Sequence, residues 1–310
     1  VILHACPDID AVRRGIEATG GGIHLSKSPH GSGKTQSLLR PIALQRNGVV
    51  AIAPRVSLVS DLATRLDLAH YQATGTDPDT AICLNSIINP KYAGITADAR
   101  AVLVDEIGAI VRECHNPHST LKKKAAAAWT RLIDMLLGAE IAVGVDADLS
   151  TDHINMLAAA IPSRPVHVWV VAEAPRPIVG TFTSEDVMLA QLHEAVEAGE
   201  RVLFVSDSAK RVAGLALELE ARYPDKRILG IHDRKGTSTK GTPEAQALLS
   251  DINTECSGYD VLLLSPTVES GVSLQTAHFT RHFALYSGTV TDATARAAIH
   301  ALKGTENAAV

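Results

Sequence analysis

The run Ser28-Pro29-His30-Gly31-Ser32-Gly33-Lys34-Thr35 constrains this chain more than any other stretch of it. An apolar, strand-like segment, Gly22 to Leu25, precedes it and a helix-like one, Lys34 to Arg46, follows. The pattern is that of a phosphate-binding loop, G-x-x-x-x-G-K-[ST], with Ser28 where the first glycine usually stands. Backbone N–H groups of a small-residue turn point inward and the following helix adds its positive N-terminal end, so the turn cradles phosphates. Ser28, Gly31, Ser32, Gly33, Lys34 and Thr35 are therefore candidates to bind ATP: Lys34 reaches the β and γ phosphates and the Thr35 hydroxyl ligates Mg²⁺. An ordinary Gly-rich turn ahead of a helix is the competing reading.

Short β-rich apolar runs alternate with helical patterns along the rest of the chain. Val49 to Pro54, Ala101 to Glu106, Glu140 to Ala147 and Val166 to Val171 form one series. Arg201 to Asp207, Arg227 to Asp233, Asp260 to Pro266 and His282 to Gly288 form a second, with helical stretches at Asp186 to Ala198, Ala209 to Tyr223 and Pro243 to Ile252 between them. Such alternation implies parallel sheets covered by helices. Prolines cluster in Glu173 to Asp186, which reads as a linker or a crossing strand. Two α/β domains in tandem, 1–172 and 173–310, are expected.

Composition narrows the classes. At 310 residues, 46% hydrophobic and 20% charged, the chain is globular, with no apolar run near the roughly 20 residues that span a bilayer and no signal-peptide layout. A cytoplasmic protein is expected, and the start at Val1 rather than Met points to a piece of a longer one. Cys6, Cys83, Cys114 and Cys256 have no paired spacing, as reduced thiols do. Cys114, His115 and His118 are either a metal-ligating cluster or part of a solvated loop. A net charge of -5 argues against coating nucleic acid non-specifically but leaves room for a local basic groove. Basic residues gather at Lys122 to Lys124 and again at Arg234, Lys235 and Lys240, which are either phosphate contacts or a solvated helix face and a mobile loop. Aromatic residues at 4% are too few for a base-stacking platform.

Asp105 and Glu106 end an apolar strand about 70 residues beyond Lys34. In a nucleotide hydrolase the first acid holds Mg²⁺ and the second orients or deprotonates the attacking water. A capped helix start would also explain the pair.

Taken in order, the phosphate loop, "APRVSLVSDLATRL", "VDEI", "VGVDADLS", "VLFVSDSAKRVAGLALEL" and "LLLSPTVESGVSL" resemble the motifs of superfamily 2 helicases, in particular the herpesvirus origin-binding-protein type of replication helicase. The likeness spans about residues 22 to 288. It implies an α/β fold of two tandem RecA-like parallel-sheet domains with an ATP cleft between them, DNA as the partner, and primase or other replication domains in the full-length protein. Carried over, it assigns Lys34, Asp105 and Glu106 to catalysis and Thr35 and Asp105 to Mg²⁺. It also assigns Pro54, Arg55 and Ser57 to strand phosphates, Ser206 and Ser208 to phosphates from the second domain, and Glu269, Ser270, Gly271 and Ser273 to the joint between the ATP site and the nucleic-acid track. Asp146 and Asp148 occupy the place of the coupling motif; Asp148 is expected either to bond toward the acid pair or attacking water, or to cap a strand end. The Gln- and Arg-rich helix that supplies arginines to the γ-phosphate is missing, and Arg296 alone stands near its place.

Three readings compete at this stage: an ATP-driven DNA helicase or translocase in replication initiation of a plasmid, phage or similar element, an ATP-gated nucleic-acid-binding switch that does not unwind, and a phosphate-loop kinase.

Overall fold

Runs of β-branched and small residues buried on both sides, such as Val49–Ala53 and Ile141–Asp146, cannot sit at a solvated sheet face, and they form the centre of a parallel sheet. The computed structural model describes residues 1–29, 31–73, 79–117, 119, 121–171, 181, 183–265, 274 and 276–288. The chain divides into two compact units, Val1–Pro175 and Arg176–Val310.

The first unit carries strands β1 (Ile2–Cys6), β2 (Gly22–Lys27), β3 (Val49–Ala53), β4 (Ala69–His70), β5 (Thr80–Cys83), β6 (Ala101–Asp105), β7 (Ile141–Asp146) and β8 (Val166–Val171). They pair in parallel in the order β1-β8-β2-β7-β6-β3-β5-β4. Its helices are α1 (Ile9–Thr19), α2 (Arg40–Leu44), α3 (Val56–Leu66), α4 (Ala93–Ala97), α5 (Ile107–His115), α6 (Ala125–Gly138) and α7 (Thr151–Ala160).

Strands β1, β4 and β5 and helix α1 were not anticipated from the sequence. Helix α1 nonetheless has clear signals: Asp8 caps it by accepting the Ala11 N–H at 2.7 Å, and Ile9, Val12 and Ile16 form its buried stripe. Gly15 lets it lie flat on Trp169, since a Cβ there would stand 2.3 Å from the indole. The Trp169 ring stacks on His4 at 3.9 Å and its Nε1 donates to His24 Nδ1 at 3.2 Å. With Nδ1 accepting, His24 donates from Nε2 to the Gly20 carbonyl at 3.2 Å. That neutral tautomer suits a site where burial pulls His24 down to about 4.

The second unit carries β9 (Val202–Ser206), β10 (Ile228–Ile231), β11 (Val261–Leu264) and β12 (Arg281–Leu285), all parallel, in the order β10-β11-β9-β12. Helices α8 (Glu185–Glu197) and α9 (Ala209–Arg222) pack on one face, where Val202 and Phe204 meet Leu192 and Leu219. The alternate residues Leu203 and Val205 face the other side, with Leu248 of α10 (Pro243–Ser250) and Ile252 of α11 (Ile252–Glu255). All four strand runs read from the sequence in this half are present. The α/β fold with two parallel sheets is thus the one anticipated. Among the described residues no helix is long and apolar enough to cross a membrane.

Candidate nucleotide site

Strands β2, β7 and β6 are neighbours, and Lys27 pairs with Asp146 while Asp105 pairs with Val145. The phosphate-loop sequence, Asp146 and the acid pair therefore leave the sheet side by side at its carboxyl edge, where open α/β sheets bind ligands.

Ser28 continues the β2–β7 pairing by donating its N–H to the Asp146 carbonyl at 3.2 Å. It is buried, and its hydroxyl meets that of Ser26 at 2.8 Å, so a small polar residue is satisfied where the usual pattern has glycine. Gly31 and Gly33 have φ of 72° and 86°, and a Cβ on Gly33 would press on Ser37 Oγ at 3.0 Å. Lys34 begins a π-helical segment, Lys34–Leu39, in which the Arg40 N–H reaches back to the Thr35 carbonyl. This widened turn puts Lys34 and Thr35 at the mouth of the loop, and such turns gather at functional sites. Lys34 Nζ donates to the carbonyls of Ser28 and Pro29 at 2.9 and 3.0 Å. His30 lies outside the described residues.

Asp105 closes β6, and Glu106 follows in the left-handed region at φ 55°, ψ 49°, as the N-cap of α5. A non-glycine residue there costs on the order of 1–3 kcal/mol unless its surroundings hold it. Asp146 does the holding. Its Oδ2 accepts the Gly108 N–H at 2.7 Å and its Oδ1 the Asp148 N–H at 2.7 Å, and the side chain is only 1% exposed. A Cβ on Gly108 would stand 2.7 Å from Asp146 Oδ2 and 2.9 Å from His153 Nδ1. His153 is fixed by a capping box with Ser150 at the start of α7.

Burial raises the Asp105 carboxyl to about 6, with the Lys34 ammonium working against that rise and Asp146 adding to it. Glu106 is raised further still, first by burial and then by Asp146 and Asp105. Carboxylates crowded in this way favour a cation among them. The residues fit Mg-ATP on three counts: this carboxylate cluster, a lysine anchored in a positive-φ glycine turn, and a buried Ser32 hydroxyl that has no partner among the described residues.

Asp146 bridges from the coupling segment to the turn after the acid pair through Gly108. As the last residue of β7, Asp146 points inward, while Asp148 lies beyond the strand and donates its N–H to it.

Arg55 is exposed and caps α3 with its backbone carbonyl, which accepts from Leu58 and Val59 at 3.1 and 3.3 Å, and Ser57 lies in that helix's first turn. Sequence reasoning missed the segment beside it. Because β3 and β5 pair, with Ala53 opposite Cys83, the turn Leu84–Ser86 emerges next to Pro54 and Arg55, with Asn85 exposed. The buried run Thr80–Cys83 ahead of an Asn-Ser turn was the signal available.

In the second unit Ser206 is fully buried, and its Oγ accepts the Ser208 N–H at 3.2 Å. Its hydroxyl braces the turn after β9. Ser208 caps α9 by accepting the Arg211 N–H at 3.3 Å. Glu269, Ser270, Gly271, Ser273 and Arg296 lie outside the described residues. The Cys114 segment is likewise no solvated loop at its start, because Cys114 is buried on α5, its thiol pushed up to about 12 by burial, and His115 packs edge-on against Trp129 at 4.6 Å. His118 is outside the described residues.

No family model matches the chain. It is 26% identical over 294 residues to an uncharacterized protein of Picosynechococcus, a match that covers 86% of this chain; the chain spans only 29% of that protein's length. Among solved structures it is similar to Mss116p bound to ssRNA and AMP-PNP, with a TM-score of 0.68 and 12% identity over 100% of this chain and 77% of that one. Dbp5 of S. cerevisiae bound to RNA and ADP BeF3 gives a TM-score of 0.64 at 13% identity, covering 98% and 90%. The Mycobacterium smegmatis helicase Lhr bound to ssDNA and AMP-PNP gives 0.60 at 16%, covering 90% and 42%. The two parallel α/β units of this chain share the fold of these structures, that of tandem RecA-like domains.

Proposed function

We propose that the chain is a nucleic-acid-dependent ATPase of the superfamily 2 helicase class, which couples Mg-ATP hydrolysis to movement on or unwinding of a strand. The observation that carries this reading is the meeting of the Lys34 loop, Asp105, Glu106 and Asp146 at the ends of β2, β6 and β7. Bound Mg²⁺ would supply charge neutralisation at the phosphates. Thr35 and Asp105 would hold the ion, Lys34 would leave the Ser28 and Pro29 carbonyls for the β and γ phosphates, and Glu106 would take the proton of the attacking water. The raised proton affinity of Glu106 suits a base.

Arg55, with Ser57 and Asn85, would contact strand phosphates at the carboxyl edge of β3 and β5. Gly271 and Arg296 are the proposed contributions of the second unit to ATP, and Glu269 and Ser270 its proposed link to the strand. The finer reading is a DNA helicase of the herpesvirus origin-binding type, acting inside the cell in replication initiation of a plasmid, phage or mobile element, with primase or other replication domains elsewhere in the protein. The lone Arg296 supports a second reading, an ATP-gated clamp that does not unwind.

Strand-displacement and ATPase assays with single-stranded and forked DNA and RNA test this. Nucleic-acid-stimulated hydrolysis with displacement is expected. Stimulated binding without displacement would move the conclusion to the clamp, and hydrolysis indifferent to nucleic acid would overturn both.

A further inference from the structure

The segment after β10 was read from sequence as either a mobile loop or a basic contact, and its backbone is fixed. His232 is buried, and its N–H donates to Thr239 Oγ1 at 3.0 Å while Thr239 Oγ1 donates to the Gly230 carbonyl at 2.6 Å. The Thr239 and Lys240 N–H groups return to the His232 carbonyl at 3.0 and 3.3 Å. His232 Nδ1 accepts the Arg234 N–H at 3.4 Å, and the Thr237 N–H donates to the Arg234 carbonyl at 3.0 Å across Gly236, whose φ is 87°. Thr242 then caps α10, accepting from Ala245 at 3.3 Å. The neck is latched on both sides, and the tip, Asp233 to Ser238 with Lys240, is exposed.

Residues 234–242 hold three cations and no carboxylate. Elsewhere in the second unit, arginines are engaged: Arg201 with His278, Arg211 with Glu185, Arg222 with Glu197, Arg281 with Glu200, and Arg227 over the Tyr259 ring. Arg234, Lys235 and Lys240 make no ion pair with a described residue. Because the sheet is parallel, the loop leaves it at the same edge as the turn after β9 and the segment after β11, where the Ser265 N–H donates to the Ile231 carbonyl at 3.0 Å.

We infer that this loop is a sequence-independent phosphate contact of the second unit for a single nucleic-acid strand. The inference rests on the nucleic-acid-dependent reading above. Unpaired cations repel one another, and a fold that also latches them in place is suited to a polyanion. Beside the one carboxylate of Asp233 the tip offers ammonium and guanidinium groups with Ser and Thr hydroxyls and no aromatic ring, which matches phosphates rather than bases.

The test titrates a labelled oligo-dT and oligo-U over a salt series against the full chain, against Arg234→Gln/Lys235→Gln/Lys240→Gln together, and against Lys226→Gln at the opposite, amino end of β10. The triple variant is expected to bind at least 10-fold more weakly near physiological salt, with a log–log salt slope shallower by about 2, since each phosphate contact contributes roughly 0.7 on single strands. Its ATPase rate without nucleic acid stays at the parental level, and Lys226→Gln binds like the parent. Equal affinity and slope in the triple variant would overturn the contact alone. Equal losses in the triple variant and Lys226→Gln would replace it with diffuse electrostatics. A parent chain that binds neither oligonucleotide would overturn the nucleic-acid reading and this contact with it.

Discussion

Asp146 accepts the Gly108 N–H at 2.7 Å, and this one bond ties the end of β7 to the turn in which Glu106 stands. Asparagine at 146 keeps the shape but must turn its amide NH₂ toward either Gly108 or Asp148, leaving one buried N–H unsatisfied, a cost of about 1–3 kcal/mol. Asp146→Asn is therefore expected to lower kcat about 10²-fold, the order reached when a catalytic group shifts by about 1 Å, with ATP affinity retained. Nucleotide titration beside turnover checks it. An unchanged kcat would show that the Asp146 side chain does not position Glu106.

Gly108→Ala is expected to destabilise the first unit by roughly 1–3 kcal/mol, because the added methyl meets Asp146 Oδ2 and His153 Nδ1 inside 3 Å. Gly94→Ala, where nothing lies within 4 Å of the new methyl, serves as the helix control and is expected to be neutral or stabilising. Urea midpoints of the two variants measure the difference.

The loop lysine and the second acid should fail differently. Lys34→Ala is expected to lose hydrolysis and weaken ATP binding, because in the proposed site its cation would offset the β and γ phosphates. Glu106→Gln is expected to bind ATP while turning over about 10²- to 10⁴-fold more slowly, the usual contribution of a general base. A Glu106→Gln protein that cannot bind ATP would refute the role assigned to this acid.

Acid should weaken the second unit through His282 and remove the His24 contribution from the first, where the raised Asp105 and Glu106 carboxyls act in the opposite sense. Burial lowers His24 in the first and His282 in the second to about 4, against an ordinary 6.5. Between those values the unfolded chain protonates these histidines and the native chain does not, so their contribution is fully present above about pH 6.5 and is lost as pH drops toward 4. Urea midpoints at pH 7 and pH 5 for the parent and for His282→Gln test this, and an equal pH dependence in the two contradicts it. His24→Gln, whose amide can still accept from Trp169 and donate to Gly20, should reduce the slope.

What could be read from sequence was what chemistry or burial writes into a short stretch. The loop from Ser28 to Thr35 was legible because phosphate binding demands small residues, a lysine and a hydroxyl at fixed offsets, and β6, β7 and β8 because strands buried on both faces are continuous apolar runs. Strand β1 was not, since at the sheet edge it exposes Ile2 and Leu3 and loses that signature, and β4 is only two residues long. A serine that braces a turn and one that meets a phosphate are written alike, so the bond from the Ser208 N–H to Ser206 could not be read from sequence. That Asp146 turns toward Gly108 is set by strand register, which depends on where β7 stops.

The stacking of indole on imidazole described for Trp169 has an optical consequence. The chain has two tryptophans, Trp129 and Trp169, both in the first unit and both against a histidine ring, at 4.6 and 3.9 Å. Protonated imidazole quenches indole emission by accepting an electron from the excited ring. Tryptophan emission, excited where tyrosine does not absorb, therefore watches the first unit alone, while far-ultraviolet circular dichroism sees both. The unlabelled wild-type chain thus carries a unit-specific dye, and a gap between its two melting curves would measure how independently the halves unfold.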